Sequence, residues 1–129
     1  MALAEFRHHI TRYLEFSDQS ARTAGLEPKQ YHLLLAIRGL SEDVEPTVGT
    51  IARQLRLRPN STVELIDRAE ANAIVARQRV GGHVLVQLTS KGEKLLRQIV
   101  AERLEDLHVA GPSLVKALRR LMRPQTRKT

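Results

Sequence analysis

The stretch IARQLRLRPNSTVELIDRAE, residues 51–70, decides the fold. It begins inside an apolar stripe whose members recur at helical spacing: Val48, Ile51, Ala52 and Leu55. This stripe predicts a helix of about two turns that follows Thr47, because threonine is a favoured N-cap residue. Pro59 predicts that a second helix begins only a few residues later, since proline loses nothing at the first helical position. Two helices joined by so tight a turn indicate a helix-turn-helix.

The second helix is expected to bury one side. Val63, Ile66 and Ala69 are assigned to its inner face, with Leu65 beside them. The helix is expected to end around Asn72.

The hydrophobic period changes to two after this helix. Residues 74–80, IVARQRV, and residues 83–89, HVLVQLT, are rich in β-branched and apolar residues. Gly81-Gly82 between them is typical of a tight hairpin turn. A hairpin that directly follows a helix-turn-helix predicts a winged helix.

Helical periodicity continues toward the N-terminus. Residues 3–23 form one predicted helix, which Gly25 ends. A second predicted helix begins at Pro28 and continues in KQYHLLLAIRGL to about Gly39, and its three consecutive leucines predict burial on most sides. The acidic segment SEDVEP, residues 41–46, is read as a loop.

Toward the C-terminus, a long helix is expected from residue 90, with Ser90 as its cap. Gly111-Pro112 is expected to break this helix and to separate it from a short last helix. The basic tail RPQTRKT, residues 123–129, is expected to be disordered.

The predicted fold class is mainly α with a small β-hairpin wing, a winged helix-turn-helix in one domain over residues 1–129. The expected parts are a winged-helix lobe over about residues 28–89 and a region made of the terminal helices, about residues 3–23 and 90–122.

Composition narrows the class of partner. The 129 residues carry a net charge of +7 and contain no cysteine. The positive balance favours an anionic partner, with nucleic acid ahead of a membrane surface, although a solvated surface is an equally good reading of composition alone. The absence of cysteine excludes disulfides and thiolate metal sites. With no signal sequence and no apolar run of membrane-spanning length, the chain is expected to be cytoplasmic, with no membrane partner.

The front of the second helix carries the functional prediction. A helix N-terminus presents unpaired N–H groups and a partial positive charge, which attract phosphate. Residues 53–79 hold six arginines against three acidic residues, and the acids lie away from the helix front. Taken singly, Asn60, Ser61 and Thr62 are better explained as capping residues of a solvent-facing helix. Together with the turn, the arginines and the hairpin, they predict entry into a DNA major groove.

The residues from 47 to 96, TVGTIARQLRLRPNSTVELIDRAEANAIVARQRVGGHVLVQLTSKGEKLL, resemble the MarR family of winged helix-turn-helix transcriptional regulators. IARQLRLRPNSTVELIDRAE is similar to the two DNA-binding helices of the family, IVARQR to its first wing strand, and VQLTSKG to the end of its wing. The resemblance implies a homodimer in which the first and last helices of two subunits intertwine. It also implies a regulator, most simply a repressor on a palindromic operator.

Residue pattern and resemblance together assign DNA contacts and a dimer interface. The predicted DNA-contacting residues are Arg53, Arg56, Arg58, Pro59, Asn60, Ser61, Thr62, Glu64, Arg68, Arg77, Arg79 and His83. The predicted interface residues are Leu3, Phe6, Ile10, Leu104, Leu107, Leu114, Leu118 and Leu121. The alternative is that the terminal helices bury these side chains within one subunit.

Two positions leave alternatives open. Glu64 can accept a hydrogen bond from a cytosine amino group or can face solvent beside the groove, and the second is favoured. The wing tip RVGGHV lacks the Asp-x-Arg pair that family wings usually carry, which puts a minor-groove contact in doubt. Arg79 and His83 are the nearest substitutes for that pair.

The resemblance further implies a small organic or aromatic effector. The candidate lining residues are His9, Tyr13, Tyr31 and Arg38, all of which are equally ordinary as core or surface residues. No cofactor or metal is predicted, because the histidines lack a convergent set of ligands. The sequence shows no arrangement of nucleophile, acid–base pair or phosphate-binding loop, so an enzyme is not predicted. The alternative to a regulator is a winged-helix module that binds protein instead of DNA.

Overall fold

The computed structural model describes residues 1–124 and contains five helices and one two-stranded antiparallel sheet within that range. In chain order they are α1 (Ala2–Thr23), α2 (Pro28–Arg38), α3 (Val48–Leu55), α4 (Pro59–Ala71), β1 (Val75–Val80), β2 (His83–Leu88) and α5 (Ser90–Met122). The prediction of a mainly α winged helix-turn-helix is confirmed. The last five residues of the predicted basic tail lie outside the described residues.

α2 lies at the centre of the core. It contacts α1, α3, α4, α5 and β2, and its Leu33 and Leu34 are fully buried. Leu35, the third leucine of the run, is 44% exposed, so the prediction of burial on most sides is wrong at that position. Each residue of a helix is rotated by about 100° from the one before, so Leu35 lies on the side of α2 opposite Leu33 and leaves the buried face.

The hairpin has the predicted glycine turn. Val80 pairs with His83, and Gly81 and Gly82 have φ values of +54° and +85°. Positive φ at both central residues is the signature of the tight turn that matches the twist of β-strands, and glycine adopts it without strain.

α5 is one helix of 33 residues that runs through Gly111 and Pro112. The predicted break there, and the separate last helix, are therefore wrong. Proline removes one helical hydrogen bond, but the apolar stripe keeps its phase across it, with Leu107, Leu114 and Leu118 at intervals of seven and four. α5 packs antiparallel to α1, and beyond the proline Arg120 donates a 2.9 Å hydrogen bond to Glu5.

The base of the wing is joined to α5 by a close contact between two backbones. Thr89, not the predicted Ser90, is the N-cap of α5, and its hydroxyl accepts a 3.1 Å hydrogen bond from the Gly92 N–H. The same hydroxyl donates a 2.6 Å bond to the Ala73 carbonyl. A β-carbon on Gly92 would fall well inside contact distance of the Ile74 carbonyl oxygen. Glycine is therefore required where α5 crosses the start of β1.

Within residues 1–124, no helix combines the length and the apolar character needed to cross a bilayer.

Candidate nucleic-acid interface

The front of α4 projects into solvent, as predicted. Pro59, Asn60 and Ser61 are exposed, and so is Arg58, which occupies the N-cap position. Among the described residues, no side chain caps this helix end. The first N–H groups of α4 are thus open to an anion, and backbone N–H groups at a helix N-terminus bind phosphate well.

Arginines surround this helix front. Arg53 lies in the last turn of α3 and Arg56 lies in the turn between the helices. Arg53, Arg56 and Arg58 are all exposed. None of the three forms an ion pair with a carboxylate in the part of the chain that the structure describes. Arg56 has a left-handed backbone, φ +57° and ψ +40°, which turns the chain sharply between the two helices. The arrangement concentrates uncompensated positive charge at one end of α4.

Thr62 does not belong to this surface. It is fully buried, and its hydroxyl donates a 3.0 Å hydrogen bond to the carbonyl of Arg58. The prediction that Thr62 contacts DNA is therefore wrong. Its neighbour Val63, which was assigned to the inner face, is 37% exposed. Thr62 shares a helix face with Ile66 and Ala69, and its hydroxyl is satisfied within the helix, so burial costs little.

A pair of substitutions separates these two positions. Thr62→Val is expected to leave the preferred DNA sequence unchanged and to alter stability by no more than about 1 kcal/mol, the typical worth of one hydrogen bond. Asn60→Ala, at the exposed helix front, is expected to change the base preference. Sequencing of duplexes selected by each variant measures both outcomes. A new preferred base for Thr62→Val would contradict the buried placement.

The wing is attached to α4 through Arg77. Its guanidinium donates a 2.6 Å hydrogen bond to Asp67 and a 2.8 Å hydrogen bond to Glu70. Its backbone N–H donates to the second carboxylate oxygen of Glu70 at 3.1 Å. The pKa of the Arg77 guanidinium is raised, chiefly by the hydrogen bond to Asp67, and the interactions with Glu70 act in the same direction. Arg77 stays charged, and two of its donors are committed within the protein.

The other wing and helix candidates remain accessible. Arg79 and His83 lie near the hairpin turn and are exposed, as are Glu64 and Arg68 on α4. Arg79 follows Arg77 by two residues, so both side chains leave the same face of β1. The structure thus attaches a short basic wing to α4, the helix whose front is surrounded by arginines.

The four effector candidates do not meet at one site. His9 and Tyr13 line a cavity of about 310 Å³ between α1 and α5, together with Arg12, Phe16 and Asp106. Tyr31 is buried in the core, and Arg38 is exposed and lies 3.5 Å from Glu93. The prediction of a shared site is wrong for Tyr31 and Arg38, which belong to different surroundings.

Sequence reasoning overlooked the residues that hold the interface together. In the sequence, Asp67 and Glu70 stand out only as two of the three acidic residues in 53–79, and Gly92 only as the last residue of VQLTSKG. Spacing offered a signal for the first pair, since positions 67 and 70 lie three apart and share a helix face. No local pattern indicates the contact of Gly92 with Ile74, because it depends on how two distant backbones cross.

Solved structures share this fold. A MarR family protein from Bacillus stearothermophilus is 24% identical, with a TM-score of 0.72 over 90% of this chain and 89% of that chain. MepR, a transcription regulator of the Staphylococcus aureus multidrug efflux pump MepA, is 19% identical, with a TM-score of 0.75 over 91% and 87%. A MepR variant bound to an oligodeoxyribonucleotide is 19% identical, with a TM-score of 0.70 over 95% of each chain. The sequence matches no protein-family model and no curated protein.

Likeness at these identities establishes the fold. The resemblance seen in residues 47–96 is thereby confirmed as a shared winged-helix architecture over about nine-tenths of the chain.

Proposed function

We propose that this chain, which has the winged-helix fold of MarR family structures, is a sequence-specific double-stranded DNA-binding transcriptional regulator. It acts as a homodimer, most simply as a repressor, on a palindromic operator. The observation that carries the proposal is the exposed, uncapped front of α4 with Arg53, Arg56 and Arg58 around it. A DNA-binding regulator works beside the chromosome, so the proposal includes the predicted cytoplasmic location.

The geometry suits a duplex better than a protein partner. The outer side of the α4 front carries short polar residues, Asn60 and Ser61, and the nearest exposed apolar side chains, Leu57 and Val63, are only 36% and 37% exposed. Protein interfaces are depleted in charge at their centre and enriched in aromatic residues. This surface is instead rich in arginine, and its centre is polar. Such a composition suits arginines that contact phosphates and short polar side chains that contact bases.

Selection from random duplex DNA tests the proposal directly. We expect one palindrome to be enriched, with half-sites about 10 bp apart from centre to centre, since a two-fold dimer places its helices one DNA turn apart. Failure to retain any duplex at low salt would overturn the proposal and leave the protein-interaction module as the better hypothesis.

The homodimer is supported by apolar residues that one chain leaves uncovered. Most of the exposed large hydrophobic side chains lie on α1 and α5: Leu3, Ile10, Leu14, Phe16, Leu104, Val109, Val115, Leu118, Leu121 and Met122. The other predicted interface residues, Phe6, Leu107 and Leu114, are half-buried. Patches of this kind on a small protein mark interaction surfaces. A second copy of the same helices provides a surface of the same character, as two-fold interfaces require.

Charged substitutions on this face are expected to produce monomers. In the proposed dimer, each buried leucine contributes about 1.5–3 kcal/mol in each subunit, so Leu104→Glu with Leu118→Glu removes a large share of the interface energy. Light scattering is expected to show half the mass of the unaltered protein. The control Leu35→Glu, on the exposed side of α2, is expected to keep the dimer. A dimeric double variant would contradict the assignment of this face.

The effector response stays a prediction. Its support is the resemblance alone, because Tyr31 and Arg38 lie apart from the cavity that His9 and Tyr13 line.

A further inference from the structure

Two carboxylates one turn apart on α4 hold a single arginine of the wing. Asp67 and Glu70 point from the C-terminal half of α4 toward Arg77, and the two hydrogen bonds measure 2.6 and 2.8 Å. The Arg77 side chain is 26% exposed, while the Asp67 side chain is 60% exposed. The arginine is thus the inner member of the cluster, covered by the acids on the side that faces outward.

The backbone of β1 takes part in the same contact. Arg77 pairs with Val86, and the Val86 N–H points away from β1 to the Pro46 carbonyl at 2.9 Å. Arg77 and Val86 form a non-hydrogen-bonded pair of the antiparallel sheet, and the two N–H groups of such a pair point to the two outer edges. The outer N–H of Arg77 is bound by Glu70. Both edges of the hairpin are therefore tied down at this pair, one to the segment before α3 and one to α4.

This cluster contributes more to geometry than to stability. Both carboxylates are exposed, and solvent screening makes the contribution of such ion pairs to stability small. The fold has a buried core that does not include Arg77. A chain without this arginine is thus expected to fold, but with a wing that is no longer fixed relative to α4.

The same cluster changes the charge that α4 presents. Asn60, Glu64 and Asp67 follow one another at intervals of four and three, so they share the outward face of the helix. Glu70 lies on the flank of that face, next to β1. Carboxylates beside phosphates oppose DNA binding. Arg77 forms ion pairs with Asp67 and Glu70 and offsets part of their charge. Glu64 is the acid of this helix that forms no ion pair among the described residues.

We propose that Arg77 is a positioning residue for DNA binding. It fixes the wing against α4 and offsets part of the charge of two carboxylates, and it acts through Asp67 and Glu70 instead of contacting the duplex. The part concerning DNA rests on the proposed function, whereas the part concerning the wing does not.

The wing is tested first in the protein without DNA. Arg77→Met is expected to raise amide hydrogen exchange throughout β1 and β2, since the hairpin loses the two guanidinium hydrogen bonds that join β1 to Asp67 and Glu70. Arg79→Met is the matched control, because Arg79 leaves the same face of the strand and has no ion pair among residues 1–124; its exchange is expected to equal that of the unaltered protein. Circular dichroism checks that all variants are folded.

A double-mutant cycle then tests the route to DNA. Arg77→Met is expected to weaken binding of the selected duplex about tenfold in the unaltered protein. In a background with Asp67→Ala and Glu70→Ala, the same change is expected to cost less than about twofold, since the arginine has nothing left to position or offset. Arg79→Met is expected to reduce affinity equally in both backgrounds.

The outcomes separate the proposals. Equal losses for Arg77→Met in both backgrounds would show a direct DNA contact and overturn the positioning role. Unchanged hairpin exchange in Arg77→Met would overturn it as well. If the unaltered protein binds no duplex, the proposed function fails, and the exchange measurement alone decides whether Arg77 holds the wing.

Discussion

Replacement of Gly92 by Ala is expected to destabilise the protein by about 3 kcal/mol, the upper end of the usual cost of overpacking. The added methyl group would meet the carbonyl of Ile74, which is backbone and has no rotamer to change. Relief requires α5 to move away from the start of β1, and that movement would also strain the bonds of Thr89 to Gly92 and to Ala73. One methyl group thereby disturbs the junction between wing, α4 and α5.

Chemical denaturation at fixed protein concentration measures the free energy of unfolding. Thermal denaturation is expected to show a melting temperature lower by about 10 °C. Gly49→Ala is the matched control. Gly49 lies in α3, and an added β-carbon would meet the flexible end of Arg53 at an ordinary contact distance of 3.6 Å. Alanine is favoured over glycine in helices, so this variant is expected to be as stable as the unaltered protein or up to about 1 kcal/mol more stable. An undiminished stability of Gly92→Ala would show that the two backbones do not meet as described.

Removal of the three arginines at the α4 front is expected to have the largest effect on DNA binding. Each phosphate contact that is lost reduces the slope of log affinity against log salt by about 0.9, so Arg53→Ala, Arg56→Ala and Arg58→Ala together reduce it by about 2.7. The affinity ratio of the unaltered protein to the triple variant is then expected to be about 500-fold larger at 0.1 M salt than at 1 M salt. Arg56→Ala keeps a β-carbon at the left-handed position and therefore leaves the backbone strain of the turn as it is.

The control for this variant has the same net charge. Arg7, Arg22 and Arg97 are exposed on α1 and α5, away from the α4 front, and their replacement by Ala also removes three positive charges. When this control variant is titrated against a fluorescent duplex at several salt concentrations, its slope of log affinity against log salt is expected to be close to that of the unaltered protein. Equal losses in the two triple variants would show that total charge, and not the helix front, determines affinity.

Periodicity predicted most of the fold because the spacing of apolar residues within each amphipathic element shows which of its faces is buried. The stripe from Val48 to Leu55, the proline at residue 59 and the glycine pair of the hairpin act locally, and all three structures were confirmed. The exposed helix front follows from the same local signals.

The errors arose where local chemistry and packing disagree. Thr62 is polar and Val63 is apolar, yet the face is set by the phase of Ile66 and Ala69, and a hydroxyl bonded to Arg58 fits inside. Pro112 is a strong local signal to stop, but the apolar stripe on either side of it is continuous. The Arg77 cluster and the Gly92 contact join distant segments, so periodicity carries no trace of them.

The uninterrupted α5 has a mechanical consequence. At 1.5 Å per residue, its 33 residues span about 50 Å, from the junction at Gly92 to the apolar end that faces the proposed partner. A stiff lever of that length turns a tilt of about 5° at one end into a displacement of about 4 Å at the other. In the proposed dimer, the distance between the two α4 helices would then depend on how the C-terminal ends of α5 from the two subunits pack against each other, far from the DNA.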